Sequence, residues 1–321
     1  MKQIKTYYHK YGMLLVLIAM IIIISILEPN FMQVSNFTNV FKQISVYAII
    51  GYGVTFIIIT TGIDLGLGAY MALAGVVAAY IAQTELPGIV SVLAGAGVGI
   101  VIGLVNGLII SISKIPPFIV TLGMTTITRG TALLITDGKP VSRLSESFRW
   151  WGGGRLFGIP TPIAWLIVLT IISWILLDHM KFGRYTRAIG GNEKAAVISG
   201  INIFKYKVLI YTFAGLCCGL AGVILAARVA SGSPSAADGY ELDAIAGSVI
   251  GGTSMMGGTG SIFGVLIGAM VIGVLNSGLN MLGVSSYWQE IVKGVIICCR
   301  HRRRAQKPGK SLTDKQRGES L

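Results

Sequence analysis

Apolar runs of helical length alternate along this chain with short polar or glycine-rich interruptions. A helix needs about 20 apolar residues to cross about 30 Å of hydrocarbon. Tyr11 to Leu27 is the first candidate, stopped by Glu28, Pro29 and Asn30. Ser45 to Thr61 and Gly66 to Gln83 are the second and third, divided by Gly62, Ile63, Asp64 and Leu65. Ile89 to Ile112 is the fourth, ended by Ser113 and Lys114. Pro116 to Thr136 is the fifth, opening on prolines where a helix accepts them. A polar loop, Asp137 to Thr161, carries Trp150 and Trp151, an aromatic pair suited to a membrane interface. Pro162 to Leu177 is the sixth span. Asp178 to Lys207 is then the longest polar segment inside the hydrophobic body. Within it Asn192 can cap a short helix, Glu193 to Ser199, which Gly200 ends. Val208 to Ala227, Glu241 to Gly251 and Ser261 to Leu282 follow as the seventh to ninth, the eighth short and separated from the ninth by a break from Gly252 to Gly260. Tyr287 to Cys299 is the tenth.

The pattern predicts an all-α polytopic membrane protein of about ten transmembrane helices. Composition agrees: 53% of the 321 residues are hydrophobic and only 12% are charged. A soluble chain of this size could not hide so much apolar surface, so lipid is its solvent. Glycine, 43 residues, is about twice as frequent as usual. No Gly-X-Y period exists, which excludes collagen. Gly95, Gly99, Gly103 and Gly107 instead form one stripe down the fourth helix, and Gly215/Gly219 and Gly264/Gly268 repeat the spacing. Such stripes let a second helix backbone approach closely.

The net charge of +13 reads as topology, because Lys and Arg stay on the cytoplasmic side. With the N-terminus inside, ten spans leave Lys114, the 178–207 segment and the C-terminus inside as well. No basic stripe interleaves with aromatics, so nucleic acid is excluded as a partner. The cysteines come as two adjacent pairs inside apolar runs, Cys217-Cys218 and Cys298-Cys299, and His9, His179 and His301 are scattered. No metal-ligand spacing results. The N-terminal lysines precede a long apolar stretch without a small-residue cleavage site, so no cleavable leader is expected.

The two halves show a hint of duplication. Val101 to Asn106 (VIGLVN) parallels Val271 to Asn276 (VIGVLN), and a Gly/Thr-rich break precedes each, at Thr60 to Gly68 and at Gly252 to Gly260. Transporters built from internal repeats place interrupted helices near the substrate path.

Polar residues inside apolar runs carry the chemistry, since a centrally placed Asp costs about 2.5–3.5 kcal/mol on insertion scales. Asp64 and Arg129 are the charged candidates, and Asn106, Asn276 and Asn280 the amides. They either hydrogen-bond a polyhydroxylated solute along a translocation path or brace helix seams, and Asp64 could equally sit at the membrane surface in a tight turn. No catalytic or metal constellation is present, and Gly252 to Thr259 lacks the lysine of a phosphate loop. Any power for transport therefore comes from another chain. A channel or ion-coupled carrier of a small polar solute is the alternative class, weakened by the scarcity of ionisable residues within the spans.

An ordered set of motifs sharpens this. Thr61 to Gly68 (TGIDLGLG), Phe182 to Tyr185 (FGRY), Gly190 to Ala196 (GGNEKAA), Ser199 to Ile201, Gly239 to Ile245 (GYELDAI), Gly251 to Ser254 and Asn276 to Val284 (NSGLNMLGV) resemble the ribose-type permeases of bacterial ABC sugar importers over roughly residues 10 to 297. Thr61 and Gly66 replace the family's usual first Gly and its Ser in the first motif. The resemblance implies a multi-pass permease of the bacterial inner membrane that moves ribose or a related pentose or hexose. It implies three partners besides lipid: a cytoplasmic ABC ATPase, a periplasmic sugar-binding protein and a second permease chain, identical or paralogous. It implies no cofactor on this chain, ATP and magnesium residing on the ATPase. By matching motif, Gly190, Gly191, Asn192, Glu193, Ala195, Ala196, Ser199, Gly200 and Ile201 form the segment that docks on that ATPase, with Ala195, Ala196 and Ile201 nearest to it.

Residues 1–299 form the permease domain in this reading and residues 300–321 a disordered basic tail. Arg300, Arg302, Arg303 and Arg304 follow Cys299 almost at once, where relatives continue with apolar residues. The switch has the character of a reading-frame change, and it leaves the tenth span, about 20 Å of helix, short of the hydrocarbon thickness.

Overall fold

The computed structural model describes residues 2–113 and 115–285 together with 287, 288, 291 and 294, and side chains from residue 12 onward. Lys114, Lys293, most of the expected tenth span and the tail from 300 to 321 lie outside the described residues. The chain is helical nearly throughout: α1 (Lys2–Leu27), α2 (Val34–Ile59), α3 (Leu67–Ile81), α4 (Gly88–Ser113), α5 (Pro117–Thr136), α6 (Glu146–Gly153), α7 (Thr161–Trp174), α8 (Lys181–Gly191), α9 (Glu193–Ile198), α10 (Ile203–Val229), α11 (Tyr240–Ile250) and α12 (Ile262–Met281). A two-stranded antiparallel hairpin, β1 (Arg155–Leu156) and β2 (Ile159–Pro160), lies between α6 and α7.

Among the described residues, six helices are long and apolar enough to cross a membrane: α2, α4, α5, α7 with the π turn that extends it to His179, α10 and α12. The apolar part of α1, Gly12–Leu27, and α3 are shorter, and α11 has 11 residues. The first nine expected spans therefore fall on helices, but α3 and α11 are too short to span on their own. The reason is interruption. At the end of α2, Thr61 turns left-handed (φ 62°) and the Gly62 amide donates to the Ile57 carbonyl at 3.0 Å, closing the helix before α3 restarts at Leu67.

α2 is the buried axis, packed on α10, α12, α11 and α7. α4 lies along α10 and α3, while α5 is an outlying helix held by α3, with few of its residues buried. The glycine stripe works as its spacing predicts. A Cβ on Gly99 would collide with the Gly215 carbonyl, and one on Gly107 would stand 2.8 Å from Val208 Cα, so α4 and α10 touch backbone to backbone. Gly264 and Gly268 meet Gly251 and Gly247 in the same way, seating α12 on α11. Cys217 and Cys218 are buried in α10 as small hydrophobes. Trp150 and Trp151 form an edge-to-face pair, and Trp151 continues onto Trp165.

Candidate functional site

Two regions gather the polar residues that the apolar background makes conspicuous: the bundle interior, and the end where α2 stops and α8 and α9 begin.

In the interior, Asp64 is not at a surface but in the α2–α3 break, 2% exposed. Its Oδ1 accepts from the Gly66 amide at 2.9 Å, a local turn typical of Asp, and its carboxylate hydrogen-bonds the Tyr70 hydroxyl. Asn106 Nδ2 on α4 donates to the same hydroxyl at 2.8 Å. The carboxylate is tolerable at depth because donors surround it. A second cluster mirrors the first. Asn276 Nδ2 on α12 lies 3.3 Å from the Tyr47 hydroxyl of α2 and 3.5 Å from Asp243 Oδ2 of α11, and Tyr47 stacks on Tyr240 at 4.9 Å. Both asparagines occupy the matching position of the VIG-x-x-N helices and each meets a tyrosine hydroxyl; Asn276 also meets Asp243, whereas Asn106 is linked to Asp64 through Tyr70. Asp243 escaped the sequence reading, which took Glu241 to Gly251 as a short span and Gly239 to Ile245 as a motif without singling out its carboxylate. Asn280, one turn beyond Asn276, is exposed near the end of α12. Arg129 donates to the Pro234 and Ala236 carbonyls at 2.8 Å each, bracing the loop into α11, and approaches Asp238 at 4.0 Å.

At the other region, the expected capped helix is present. Asn192 Oδ1 accepts from the Ala195 amide at 3.0 Å, and α9 ends with Gly200 left-handed (φ 78°) while the Ile201 amide bonds the Ala196 carbonyl. Ser199 Oγ returns to the Ala195 carbonyl at 2.9 Å, and Glu193 pairs with Lys207 at 2.9 Å, tying α9 to α10. Sequence reasoning missed α8, an amphipathic helix whose apolar side packs Phe182 on Phe56 at 5.3 Å. Within the motif-matched segment the faces divide. Gly190 and Ala196 turn toward the bundle, whereas Gly191, Asn192, Glu193, Ala195, Ser199 and Gly200 are exposed and Ile201 is half-buried. Ala196 therefore does not present itself outward. The outward apolar side chains are Val197, 57% exposed, and Ile198, 87% exposed. Two aliphatic side chains thus stand out of this polar segment, in which Ile201 is the one other large apolar residue.

Comparison with known proteins follows this geometry closely in extent. Residues 36–299 match the family described as branched-chain amino acid transport system / permease component. Over 88% of its length the chain is 46% identical to the ribose import permease of Escherichia coli K12, covering 90% of that protein. It is 46% identical to the ribose import permease of Bacillus subtilis 168 over 90% of each chain. To the D-allose transport system permease of Escherichia coli K12 it is 38% identical over 91% of this chain and 90% of that one. No solved structure matches.

Proposed function

We propose, from the premise that this chain belongs to that permease family, that it is the membrane subunit of a sugar ABC importer. Its cargo in this proposal is a monosaccharide, ribose or a related pentose or hexose, crossing the inner membrane of a bacterium. The observation that carries the reading is near-full-length identity to ribose permeases of two distant bacteria, with the polar α8–α9 segment intact between spanning helices. In this proposal Val197 and Ile198 seat in a cytoplasmic ATPase, which binds ATP and magnesium and hydrolyses the nucleotide. A periplasmic sugar-binding protein delivers the cargo, and a second permease chain completes the path. The chain itself performs no hydrolysis.

The finer architecture belongs to the same proposal. The paired Asp-Tyr-Asn clusters and the two interruptions support two repeats, and ten spans would place both termini and α8–α9 in the cytoplasm. Residues 1–299 would then act as one permease unit and 300–321 as a tail without a transport role.

The decisive experiment reconstitutes the chain in proteoliposomes with its ATPase and binding protein. Labelled ribose should accumulate only with ATP, and sugar-loaded binding protein should raise ATP hydrolysis. Single cysteines between 186 and 198 should react with an impermeant thiol reagent only from the ATPase side. Labelling solely from the opposite side would overturn the topology and the docking assignment together.

A further inference from the structure

We propose that Gly190 is a positioning residue through which movement of α8 and α9 reaches both interrupted elements of the bundle. The inference rests on reading α8–α9 as the ATPase-facing segment and goes on to name how its motion is transmitted.

Three pieces of backbone converge on one atom, the carbonyl oxygen of Ile59, the last residue of α2. The Gly258 amide, in the loop between α11 and α12, donates to it at 2.9 Å. Gly190, in the last turn of α8, lies so close that a Cβ there would overlap the same oxygen and stand 2.8 Å from the Gly258 nitrogen. Gly257 closes the ring: a Cβ on it would collide with the Gly190 carbonyl and stand 2.6 Å from Thr61 Cγ2. Gly257 and Gly258 are both left-handed, with φ of 84° and 76°, so the loop follows α8 in a conformation that glycine alone adopts cheaply. One turn earlier in α8, Arg187 donates to the Leu177 carbonyl at 3.1 Å and the Gly260 carbonyl at 3.3 Å, and pairs with Asp178.

What leaves this junction matters. From Ile59 the chain passes Thr61 into the break that holds Asp64. From Gly260 it passes Ser261, whose hydroxyl caps α12, toward Asn276. One short helix thus touches the end of α2 that leads into the Asp64 break and the loop that leads into α12. The contacts are made by backbone, which has no rotamers to absorb a displacement, and close-packed interiors transmit strain rather than absorb it. Gly191 provides the contrast, since a Cβ there meets nothing within 4 Å.

The test uses the complete transporter in proteoliposomes and reads the ratio of ATP hydrolysis with sugar-loaded binding protein to that without it, alongside sugar uptake. Gly190→Ala should reduce that ratio and the uptake by about tenfold, within the usual range of coupling between sites, while the ATPase still copurifies with the permease. Gly123→Ala, the same change of helix propensity in α5 where a Cβ likewise meets nothing within 4 Å, should keep the ratio within about twofold of wild type. Arg187→Gln, which adds no atom to the junction, should lower the ratio in the same sense, and it decides the matter if Gly190→Ala fails to assemble. A coupled wild type with an equally coupled Gly190→Ala, or with Arg187→Gln at the wild-type ratio when Gly190→Ala does not assemble, overturns this inference alone. A wild-type complex whose hydrolysis ignores the loaded binding protein overturns the functional reading, and this inference with it.

Discussion

The two interior clusters use the same three residue types and hold them differently. Around Asp64 the bonds are short, 2.8 Å from Asn106 to Tyr70 and 2.9 Å from Gly66 to Asp64, and Asp64 and Tyr70 flank a single break. Around Asp243 they stretch to 3.3 and 3.5 Å and join three separate helices, α2, α11 and α12. The first is a brace that closes a break on itself. The second is a joint that links three separate helices. Polar groups in a bilayer interior thus serve two ends, and bond length with chain separation tells them apart.

Substitution can break or sharpen this contrast. Asp64→Leu should have the largest effect, since it strips the Gly66 amide and the Tyr70 hydroxyl of their acceptor. About 2–4 kcal/mol of stability should be lost, two orphaned buried donors at about 1–2 each. Thermal unfolding in detergent measures it, and a loss no greater than that of an Asn276 variant would erase the distinction. Asn106→Leu should come next, at about 1–2 kcal/mol, near the upper end for interhelical hydrogen bonds in membranes. Its readout is the same unfolding midpoint, with uptake falling only as far as the folded fraction falls. Asn276→Leu should cost least, about 0.5 kcal/mol, near the average for such bonds. Its signature is a fall in sugar uptake out of proportion to the lost stability. Uptake that merely tracks the unfolding midpoint would make Asn276 a second brace.

Features encoded within a few residues were legible without a structure. The Asn192 cap, the Gly200 stop and the four-residue glycine period of α4 each depend on neighbours one turn away, so spacing alone announces them. Short amphipathic helices in polar segments, α6 and α8, were not legible, because their apolar faces mean nothing until Phe182 finds Phe56 or Phe148 is buried. Asp64 was ambiguous for the same reason: TGIDLG makes a turn at a membrane surface or inside a bundle equally well. Asp243 was not singled out, because its burial, which Glu241 two residues before it does not share, depends on how α11 packs.

The sequence by itself determined that this chain lives in lipid, that it is helical, where most helices begin and end, and, through its ordered motifs, which family it belongs to. Those properties follow from apolar run length, backbone propensity and local capping, all of which act over short stretches of chain. Tertiary structure alone decided that Asp64 is buried, that Gly190 rests on the Ile59 carbonyl, that Ala196 faces inward while Ile198 faces out, and that each VIG-x-x-N asparagine meets a tyrosine hydroxyl. Each of these is a contact between residues tens to hundreds of positions apart. Which of the many equally apolar helix faces meet is settled by the fit of backbone on backbone at glycine, and that fit exists only once the bundle has closed.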